Sequence, residues 1–212
     1  MSQDFAIGIP TLNRSDLLNP TLRRYFNNFK NTDLFIIDNG NQLIESRKNK
    51  FSITRPNKNL GVAKSWNLLC EKIFKNHDFA LILNDDIELS CSEAGISFFL
   101  KSNSFDLARC YSDFNFCSFI ISRECFKNDQ FDESFYPAYF EDKDMLYRLK
   151  LKQKKVISHY ILNPGIYRNS QTINPHGGDP SINNNFLKLS GIYKSKWGGP
   201  PGREKFKTPY NK

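Results

Sequence analysis

Two adjacent acidic residues, Asp85 and Asp86, follow the apolar run Phe79–Leu83 and have the chemistry of cation ligands. The run has the length and composition of a strand that is buried on both faces. Asn84, Asp85 and Asp86 would then lie at the carboxyl end of that strand, where open α/β sheets bind their ligands. The same residue types also form ordinary turns, because Asp and Asn side chains hydrogen-bond their own backbone. The functional alternative is a site for Mg²⁺ or Mn²⁺, which proteins hold with one or two carboxylates and otherwise with water and phosphate oxygens.

Polar loops follow two earlier apolar segments in the same way. Phe5–Ile9 and Leu34–Ile37 are predicted as strands, and apolar residues at helical spacing from about 16 to 29 predict a helix between them. Strand, helix, strand is the repeating unit of a parallel sheet. Because parallel strands end at the same edge, the loops after all three strands are predicted to line one crevice. The loop residues concerned are Pro10, Thr11, Asn13 and Arg14 after the first strand, and Asp38 and Asn39 after the second.

A third strand is predicted at Phe51–Thr54, and a helix from about Val62 to Phe74 follows it. Asn59 and Gly61 precede this helix and are typical of a helix start. The chain lacks GxGxxG, and also GxxxxGK followed by Ser or Thr, which are glycine-rich phosphate-binding loops. Their absence argues against a Rossmann dehydrogenase and against a P-loop NTPase.

The overall composition predicts one domain of 212 residues, large enough to bury a substantial core. The 30 basic and 22 acidic residues give a net charge of +8, which suits an anionic partner such as nucleic acid, a phosphorylated metabolite or an acidic membrane. The basic residues are scattered and no nucleic-acid-binding signature occurs, so we predict no nucleic-acid partner. The five cysteines include no CxxC pair, which predicts a reducing compartment and a cytoplasmic location. Without an apolar run of about eighteen residues, we expect a soluble, unprocessed chain with no membrane span.

The order of these motifs resembles the nucleotide-sugar-binding half of the GT-A glycosyltransferases, particularly the family-2-like group. PTLNR comes first, then IIDNG, then Asn59, Gly61 and Asn67 in the pattern NxGxxxxxN, and then the buried strand that ends in NDD. Further on, FEDKDMLYRL at Phe140–Leu149 follows a predicted strand at about 116–122 and is similar to the helix that begins the acceptor half. The match covers roughly residues 5–150. The size, the Asn and Lys bias and the closing KWGGPPGREKF resemble small glycosyltransferase domains that large DNA viruses of algae encode.

The resemblance implies an α/β fold of GT-A (Rossmann-like) type, with a mostly parallel central sheet flanked by helices in a single domain. The nucleotide-sugar-binding half would comprise about residues 1–90 and the acceptor half about residues 91–165. From about residue 166 to residue 212, Asn, Gly and Pro are frequent, and we expect either a tail or a lid that closes over the site and excludes water. Trp197 and Arg203 are the predicted closing contacts of such a lid.

Positions that match the nucleotide-sugar site of the family imply a uridine nucleotide. Thr11 and Asp38 fall where the family holds the nucleobase, and a carboxylate there accepts the N3–H of uracil, a donor that cytosine lacks. Arg14 and Lys64 would reach the ribose or the diphosphate. The full set of residues expected to bind the nucleotide sugar is Pro10, Thr11, Asn13, Arg14, Asp38, Asn39, Asn59, Gly61, Lys64, Asn84 and Asp85.

The resemblance also implies a cofactor, Mn²⁺ or Mg²⁺, with Asp86 at the position that ligates it. Asn84 replaces the first acid of the family's DxD signature, so it can bind a ribose hydroxyl but brings no charge. Other family members place a further histidine in an HxGSxT-like segment, which reads Arg168-Asn169-Ser170-Gln171-Thr172 here and lacks the histidine. His176 is the candidate substitute, although surface histidines without a ligand are the commoner case.

Glu141 and Asp142 are the candidate catalytic residues. Acids at the start of a helix also complement its dipole with no catalytic role, so the residues alone leave both interpretations open. Asp142 matches the general base of inverting relatives, where a carboxylate removes the proton of the acceptor hydroxyl. In a retaining enzyme it would only orient the acceptor. The preceding aromatic stretch is core or a stacking surface for an acceptor sugar, with Tyr136 and Tyr139 as the acceptor-binding candidates.

The function expected from this resemblance is that of a metal-dependent glycosyltransferase that moves a sugar from a UDP-sugar donor to a hydroxyl of a carbohydrate or glycan acceptor. Two alternatives remain open. A nucleotidyltransferase also places metal-binding acids at a strand end in an α/β sheet, and it would release pyrophosphate from a nucleoside triphosphate. A non-catalytic sugar- or nucleotide-binding module would keep the fold, an alternative that the change to Asn84 allows.

Overall fold

The computed structural model describes residues 4–42, 51–111, 116–167 and 184–212. The strands are β1 Phe5–Thr11, β2 Leu34–Asp38, β3 Phe51–Thr54, β4 Phe79–Leu83, β5 Ile87–Leu89, β6 Leu107–Arg109, β7 Ser118–Ser122, β8 Val156–Ser158 and β9 Pro164–Tyr167. The helices are α1 Ser15–Asn28, α2 Gly61–Ile73, α3 Glu93–Ser102, α4 Arg123–Asn128, α5 Glu141–Leu151 and α6 Phe186–Trp197, and short 3-10 helices occur at Tyr160–Leu162 and Pro209–Asn211.

Seven of these strands form the central sheet, in the order β3-β2-β1-β4-β7-β6-β8. The strands from β3 to β4 are parallel, β7 is antiparallel to both of its neighbours, and β6 is parallel to β8. The predicted mostly parallel sheet flanked by helices is therefore confirmed. The carboxyl ends of β1, β2 and β4 lie at one edge of this sheet. The remaining two strands, β5 and β9, pair with each other in a small antiparallel sheet beside it.

The core lies on both faces of the sheet, because the central strands are apolar along most of their length. Along β1, Phe5, Ile7 and Ile9 belong to the apolar cluster that includes α1 and α3, whereas Ala6 belongs to the cluster that includes α2. Burying one large apolar side chain contributes about 1.5–3 kcal/mol, so these alternating residues fix the strand register firmly.

Helix α2 lies unusually close to the sheet at Gly8. A Cβ added to Gly8 would lie 2.8 Å from Ile82 Cδ1 and 3.2 Å from Leu69 Cβ, so only glycine leaves the space that this packing needs. A helix that connects parallel strands begins at their carboxyl edge. The close packing therefore places the start of α2 beside the loops after β1 and β2.

The last described segment, residues 184–212, is attached to α5 by a third apolar cluster. Phe135, Leu189, Tyr193 and Trp197 form its buried part, and the partly buried side chains of Tyr147 and Leu151 on α5 pack against it. The hydroxyl of Tyr147 also donates a hydrogen bond of 2.8 Å to the carbonyl of Phe206. Among the described residues, none of the helices is both long and apolar enough to cross a membrane.

Candidate functional site

Thr11 joins the carboxyl ends of three strands of the sheet. Pro10, Thr11 and Asp38 were predicted in the loops after the strands, but they are the last residues of β1 and β2, because pairing between the two strands continues to Thr11 and Asp38. Its carbonyl accepts a hydrogen bond of 2.9 Å from the amide of Asn39, after β2. Its hydroxyl donates a hydrogen bond of 2.7 Å to Asp85 Oδ2, after β4, and accepts one of 2.7 Å from Gln42 Nε2. The polar residues that were predicted to line one crevice are thus in direct contact at the carboxyl edge of the sheet.

Asp38 is fully buried at this edge, and its carboxylate is engaged by two donors. The amide of Gln42 donates to Oδ1 at 3.2 Å, and Arg55 Nε donates to Oδ2 at 3.1 Å. The side chain of Arg55 is 43% exposed, so it pairs with a buried carboxylate while part of it stays open to solvent. The sequence analysis missed Arg55. Its position one residue after β3, at the same edge of the sheet, was the available signal.

Asn84, Asp85 and Asp86 form a turn between β4 and β5, so the turn interpretation is correct for the backbone. The amide of Asn84 donates to the carbonyl of Cys117 at 2.9 Å, and the amide of Ile87 donates to the carbonyl of Asn84 at 3.3 Å. The turn nevertheless holds two buried carboxyl groups side by side, Asp85 and Asp86.

The environment of Asp85 favours a positive charge or a proton. The pKa of Asp85 is raised from 3.8 to about 7 overall. Burial is the main cause, the hydrogen bond from Thr11 lowers the pKa, and the adjacent charge of Asp86 raises it. The positive charge of Arg14 acts in the opposite direction and lowers this pKa. A divalent cation beside Asp86 would relieve the same repulsion between the two carboxyl groups.

The described residues contain no group of three or more His, Cys, Asp or Glu side chains placed to hold a metal ion. Mg²⁺ and Mn²⁺ do not require such a group, since one or two carboxylates with water and substrate phosphates suffice for them. Asp86, with Asp85 next to it, fits this mode of binding. His176 and the segment 168–172 lie outside the described residues.

Arg14 interacts electrostatically with the carboxyl groups of Asp85 and Asp86. It makes an ion pair of 2.8 Å with Asp16, and this hydrogen bond is the main reason why the pKa of Arg14 is raised. The negative charges of Asp85 and Asp86 raise it as well.

Asn13, in the same loop, has a left-handed backbone (φ 54°) and lies against Gly40, where an added Cβ would meet Asn13 Oδ1 at 2.0 Å. Pro10 pairs in register with Ile37 of β2.

The start of α2 is fastened to the loop after β2. Asn39 Oδ1 accepts a hydrogen bond of 2.9 Å from the amide of Leu60, and Asn39 Nδ2 donates one of 2.9 Å to Ser65 Oγ. Asn59 Oδ1 accepts a hydrogen bond of 2.8 Å from the amide of Gly61. In this structure Asn39 and Asn59 therefore orient the helix start, and contact with a nucleotide remains a proposal for both.

Gly61 brings α2 against the loop at 131–140. Its φ is +75°, and an added Cβ would lie 2.7 Å from the carbonyl oxygen of Pro137 and 2.8 Å from Tyr136 Cδ2. The neighbouring amide of Val62 donates to the same carbonyl at 2.7 Å. The side chain of Tyr136 is half-exposed at this junction. The predicted donor half and acceptor half are thus in contact here.

Two more residues of α2 face the same loop. Asn67 Nδ2 donates to the carbonyl of Phe131 at 2.9 Å and Asn67 Oδ1 accepts from the amide of Phe131 at 2.9 Å. Lys64, which was predicted to reach the donor, makes an exposed ion pair of 2.9 Å with Glu133. An exposed pair of this kind is weak, so Lys64 is able to exchange Glu133 for a phosphate.

Glu141 is a buried carboxyl group at the first position of α5. Its pKa is raised from 4.5 to about 8 overall. Burial is the main cause and the negative charge of Asp142 adds to it, whereas backbone hydrogen bonds at Glu141 and Tyr139 lower the pKa. Its Oε2 atom has no hydrogen-bond partner among the described residues. Asp142 is partly exposed, and its Oδ1 accepts a hydrogen bond of 2.7 Å from the amide of Lys143. A buried carboxyl group with a raised pKa, such as Glu141, has the properties of a proton acceptor or donor for a bound substrate.

The backbone just before Glu141 is strained. Tyr139 and Phe140 have φ values of 85° and 73°, in the left-handed region that aromatic residues rarely adopt. Strain of this size persists only where the surrounding structure holds it, and it is concentrated at functional sites. The dipole of α5 explains acidic residues at its start, but it does not explain this backbone.

An aromatic surface lies beside the two carboxyl groups. The ring of Tyr139 makes an edge contact with Phe186 (centroids 5.2 Å apart), and Phe140 lies 5.3 Å from the same ring. Phe186 is 46% exposed, so a face of this cluster is open to a ligand. The sequence analysis missed Phe186 because it begins a helix far from Glu141 in the chain.

The two predicted lid residues have different surroundings. Trp197 is 1% exposed and its Nε1 donates a hydrogen bond of 2.8 Å to Asp144 Oδ1 on α5. Trp197 is thus buried against α5, and its closing role stays a proposal. Arg203 is exposed in the loop after α6, and its closing role stays a proposal.

No protein-family model and no curated protein sequence matches the chain, whereas solved structures do. A proposed nucleotide-diphospho-sugar transferase from Desulfovibrio desulfuricans G20 has a TM-score of 0.52 at 10% identity and covers 75% of this chain and 80% of that chain. The chain has the GT-A fold. The likeness at this identity is one of fold, and it fits the parallel strand order and the polar carboxyl edge described above.

The GT-A fold also occurs in a protein with a different proposed chemistry. A proposed glucose-1-phosphate thymidylyltransferase from Bacillus anthracis, in complex with sucrose, has a TM-score of 0.50 at 8% identity and covers 73% of this chain and 86% of that chain. A Drosophila β-1,4-galactosyltransferase 7 variant in complex with manganese, UDP-Gal and xylobiose has a TM-score of 0.49 at 13% identity and covers 78% of this chain and 67% of that chain. Because a fold hosts several activities, the function must be argued from the site.

Proposed function

We propose that the chain is a metal-dependent glycosyltransferase that transfers a sugar from a UDP-sugar to a hydroxyl of a carbohydrate acceptor. The observation that carries the proposal is the pair of carboxyl groups at the start of α5, Glu141 and Asp142. They follow the loop that contacts α2 through the hydrogen bond from Val62 to Pro137. The start of α2 in turn lies on the edge that holds the buried Asp85 and Asp86.

A carboxyl pair at this place suits an alcohol as the nucleophile. A sugar hydroxyl attacks efficiently only if its proton is accepted as the new bond forms, and a nearby carboxylate does this. Asp142 is the proposed base because it is partly exposed, while the buried Glu141 beside it is the second member of the pair. The phosphate of a sugar phosphate is already an anion and needs no such base. The pair therefore favours glycosyl transfer over nucleotidyl transfer.

The polar groups at the ends of β1, β2 and β3 suit a uracil base. Uracil presents an N–H donor between two carbonyl acceptors, and the adjacent Asp38 and Arg55 offer an acceptor and a donor. The two observed hydrogen bonds do not use all the acceptor positions of the Asp38 carboxylate, and because its side chain is buried, a base would reach it only when the side chains that cover it move. Arg55 would face a carbonyl of the base, and Thr11 lies at the same edge.

A bound Mn²⁺ or Mg²⁺ would supply charge neutralisation for the departing diphosphate. Asp86 is the residue proposed to hold it, with Asp85 adjacent. The chain adds two cationic groups of its own. Arg14 lies in the field of both carboxyl groups, and Lys64 at the start of α2 has only an exposed partner. These cations would orient the diphosphate and stabilise its negative charge.

A nucleotidyltransferase remains the second candidate function, because the Bacillus anthracis protein with this fold is a proposed thymidylyltransferase. Such an enzyme would use the same carboxylates at the strand edge to bind a metal with a nucleoside triphosphate. The two candidates differ in the compound that they bind and in the product that they release, UDP in one case and pyrophosphate in the other.

The proposal is tested by thermal stabilisation with UDP-, GDP- and CDP-sugars and with nucleoside triphosphates, each with and without Mn²⁺. A ligand that binds only the folded state raises Tm by mass action. We expect a metal-dependent shift confined to the uridine diphosphate compounds, followed by release of UDP when acceptor saccharides are added. A shift with triphosphates alone and release of pyrophosphate would establish the second candidate, and no shift with any of these compounds would contradict both.

A further inference from the structure

Lys196, in the last turn of α6, is a buried lysine held between two carboxylates. Its side chain is 7% exposed, and Nζ lies 2.5 Å from Asp132 Oδ2 and 2.6 Å from Asp144 Oδ1. The rings of Phe135 and Trp197 lie 5.6 and 5.2 Å from the same nitrogen. A buried ammonium group is tolerated only with partners of this kind, so its place in the fold is closely defined.

The two carboxylates belong to different parts of the candidate site. Asp144 lies on α5, in the turn that begins with Glu141 and Asp142. Asp132 lies next to Phe131, whose backbone makes two hydrogen bonds with Asn67 of α2. Lys196 therefore joins the helix of the proposed base to the segment that is fastened to the donor-side helix.

Asp144 is held from further directions as well. Arg148 Nε donates to its Oδ2 atom at 2.8 Å, and the indole of Trp197 donates to its Oδ1 atom at 2.8 Å. Arg148 also makes an ion pair of 3.1 Å with the buried Asp129. A rotation or shift of α5 would break several of these charge-assisted bonds together, which are the strong kind.

Stability alone gives a poor account of this network. A buried ion pair contributes little to folding compared with well-packed apolar residues of similar volume, and a distinct use of such pairs is to specify geometry. The strained backbone of Tyr139 and Phe140 lies immediately before Glu141, and strain of that kind must be held by its surroundings. The contacts of Asp144 hold α5 on the other side of Glu141.

We infer that Lys196 is a positioning residue, which sets the place of the Glu141 and Asp142 carboxyl groups relative to the donor site on α2. The catalytic meaning of this role rests on the proposed function. Lys196 itself need not touch a substrate, and it acts through Asp144 and Asp132. Through Lys196, helix α6 would therefore contribute to the geometry of the site.

The test compares Lys196→Met and Lys196→Arg with Lys152→Met, a matched control. Lys152 is a half-exposed lysine that pairs with Asp129 of the same network at 2.7 Å but contacts neither Asp132 nor Asp144 in the described structure. For each full-length variant, the Kd of UDP with Mn²⁺ and the kcat of UDP-sugar consumption are measured.

For Lys196→Met we expect a Kd for UDP within about twofold of the wild type and a kcat lower by roughly tenfold or more, because a small misplacement of the base is costly. Lys196→Arg keeps the charge and should recover most of the kcat. Lys152→Met should change neither quantity. Wild-type kcat in Lys196→Met would overturn the inference, and so would parallel losses of UDP affinity and kcat in a folded variant, which indicate a general effect on the whole site.

A second measurement does not depend on activity. Hydrogen exchange of the amides at 139–144 should be faster in Lys196→Met while the amides of β1 and β4 stay protected. Unchanged exchange at 139–144 would overturn the inference. If Lys196→Met does not fold, Asp132→Asn removes one side of the same bridge. This variant must likewise lower kcat while it leaves the Kd of UDP unchanged. If the wild type neither binds UDP nor consumes a UDP-sugar, the proposed function fails, while the exchange measurement still decides the role of Lys196.

Discussion

The hydroxyl of Thr11 donates a hydrogen bond of 2.7 Å to Asp85, which lies 74 residues further along the chain. The bond joins the ends of β1 and β4, and both residues are buried. It therefore fixes the first loop of the crevice directly to the acidic turn. The candidate site depends on this contact as much as on the residues that would touch a ligand.

We expect Thr11→Val to destabilise the protein by about 1–3 kcal/mol, because a buried carboxyl group loses its donor. The free energy of unfolding in urea measures the effect. Thr208→Val is the matched control, since Thr208 is exposed near the end of the described chain and should tolerate the change. Equal stabilities for the two variants would contradict a structural role for the Thr11 bond.

Asp86→Asn should abolish the part of UDP binding that depends on Mn²⁺. The amide keeps the shape of the side chain but loses the charge that a hard cation requires. The measurement is the rise of Tm with UDP, recorded with and without Mn²⁺. Asp78→Asn serves as the control, because Asp78 is an exposed partner of Arg123. A metal-dependent rise that survives in Asp86→Asn would remove Asp86 from the metal site.

Glu141 should make turnover depend on pH in the neutral to alkaline range. Burial raises its pKa to about 8, so the group is protonated at pH 7 and ionised at higher pH. Ionised Glu141 places a second negative charge next to Asp142, the proposed base, which favours acceptance of the hydroxyl proton, so kcat should rise as pH increases through about 8. In Glu141→Gln this rise should disappear, whereas the exposed Glu124→Gln control should retain it.

The same group should lower stability as pH rises. In the unfolded chain Glu141 has its ordinary pKa of 4.5, so between pH 4.5 and about 8 the folded state binds more protons than the unfolded state. Unfolding is then favoured progressively across this window, up to roughly 5 kcal/mol, and the loss is constant above pH 8. Urea denaturation of the wild type and Glu141→Gln at several pH values measures the difference. Parallel stability curves would contradict a buried, protonated Glu141.

Phe186→Ala should weaken acceptor binding without changing donor binding. Its ring is part of the open aromatic surface next to Glu141, and sugars stack their C–H faces on such rings. We expect KM for the acceptor saccharide to rise roughly tenfold, with the Kd of UDP unchanged. Phe98→Ala, at an exposed position on α3, is the control. Equal effects of the two changes would place the acceptor elsewhere.

Gly61→Ala should destabilise the protein, whereas Gly191→Ala should not. Gly61 has a φ of +75° and an added Cβ would overlap the carbonyl of Pro137, so we expect a loss of about 1–3 kcal/mol. Gly191 lies within α6 with nothing within 4 Å of its Cβ position, and alanine there should add about 0.5–1 kcal/mol. Thermal unfolding of both variants checks the opposite signs.

The strands and the crevice edge were predictable because they depend on local patterns. Phe51–Thr54 was predicted and observed with the same bounds, and the buried run Phe79–Leu83 is β4. The central sheet was expected from strand, helix, strand order, but the antiparallel β7 and the small sheet of β5 and β9 are pairings between distant segments. No periodicity reveals such pairings.

The functional residues that the sequence analysis missed also depend on contacts between distant segments. Arg55, Phe186 and Lys196 acquire their roles from partners that are distant in the chain, namely Asp38, Tyr139 and Asp144. In the sequence, Lys196 is one more lysine in a basic C-terminal region. Only the fold shows that its charge is buried. The burial of Trp197 against α5 is likewise visible only in the fold.

The location of Lys196 has a consequence for the order in which the site is assembled during translation. Asp132 and Asp144 leave the ribosome before α6, at a time when the cation between them does not yet exist. Domains generally fold as units, so the charges of Asp132 and Asp144 are paired with Lys196 only after α6 has been synthesised. The carboxyl groups at Glu141 and Asp142 would then be set in place only when α6 docks against α5.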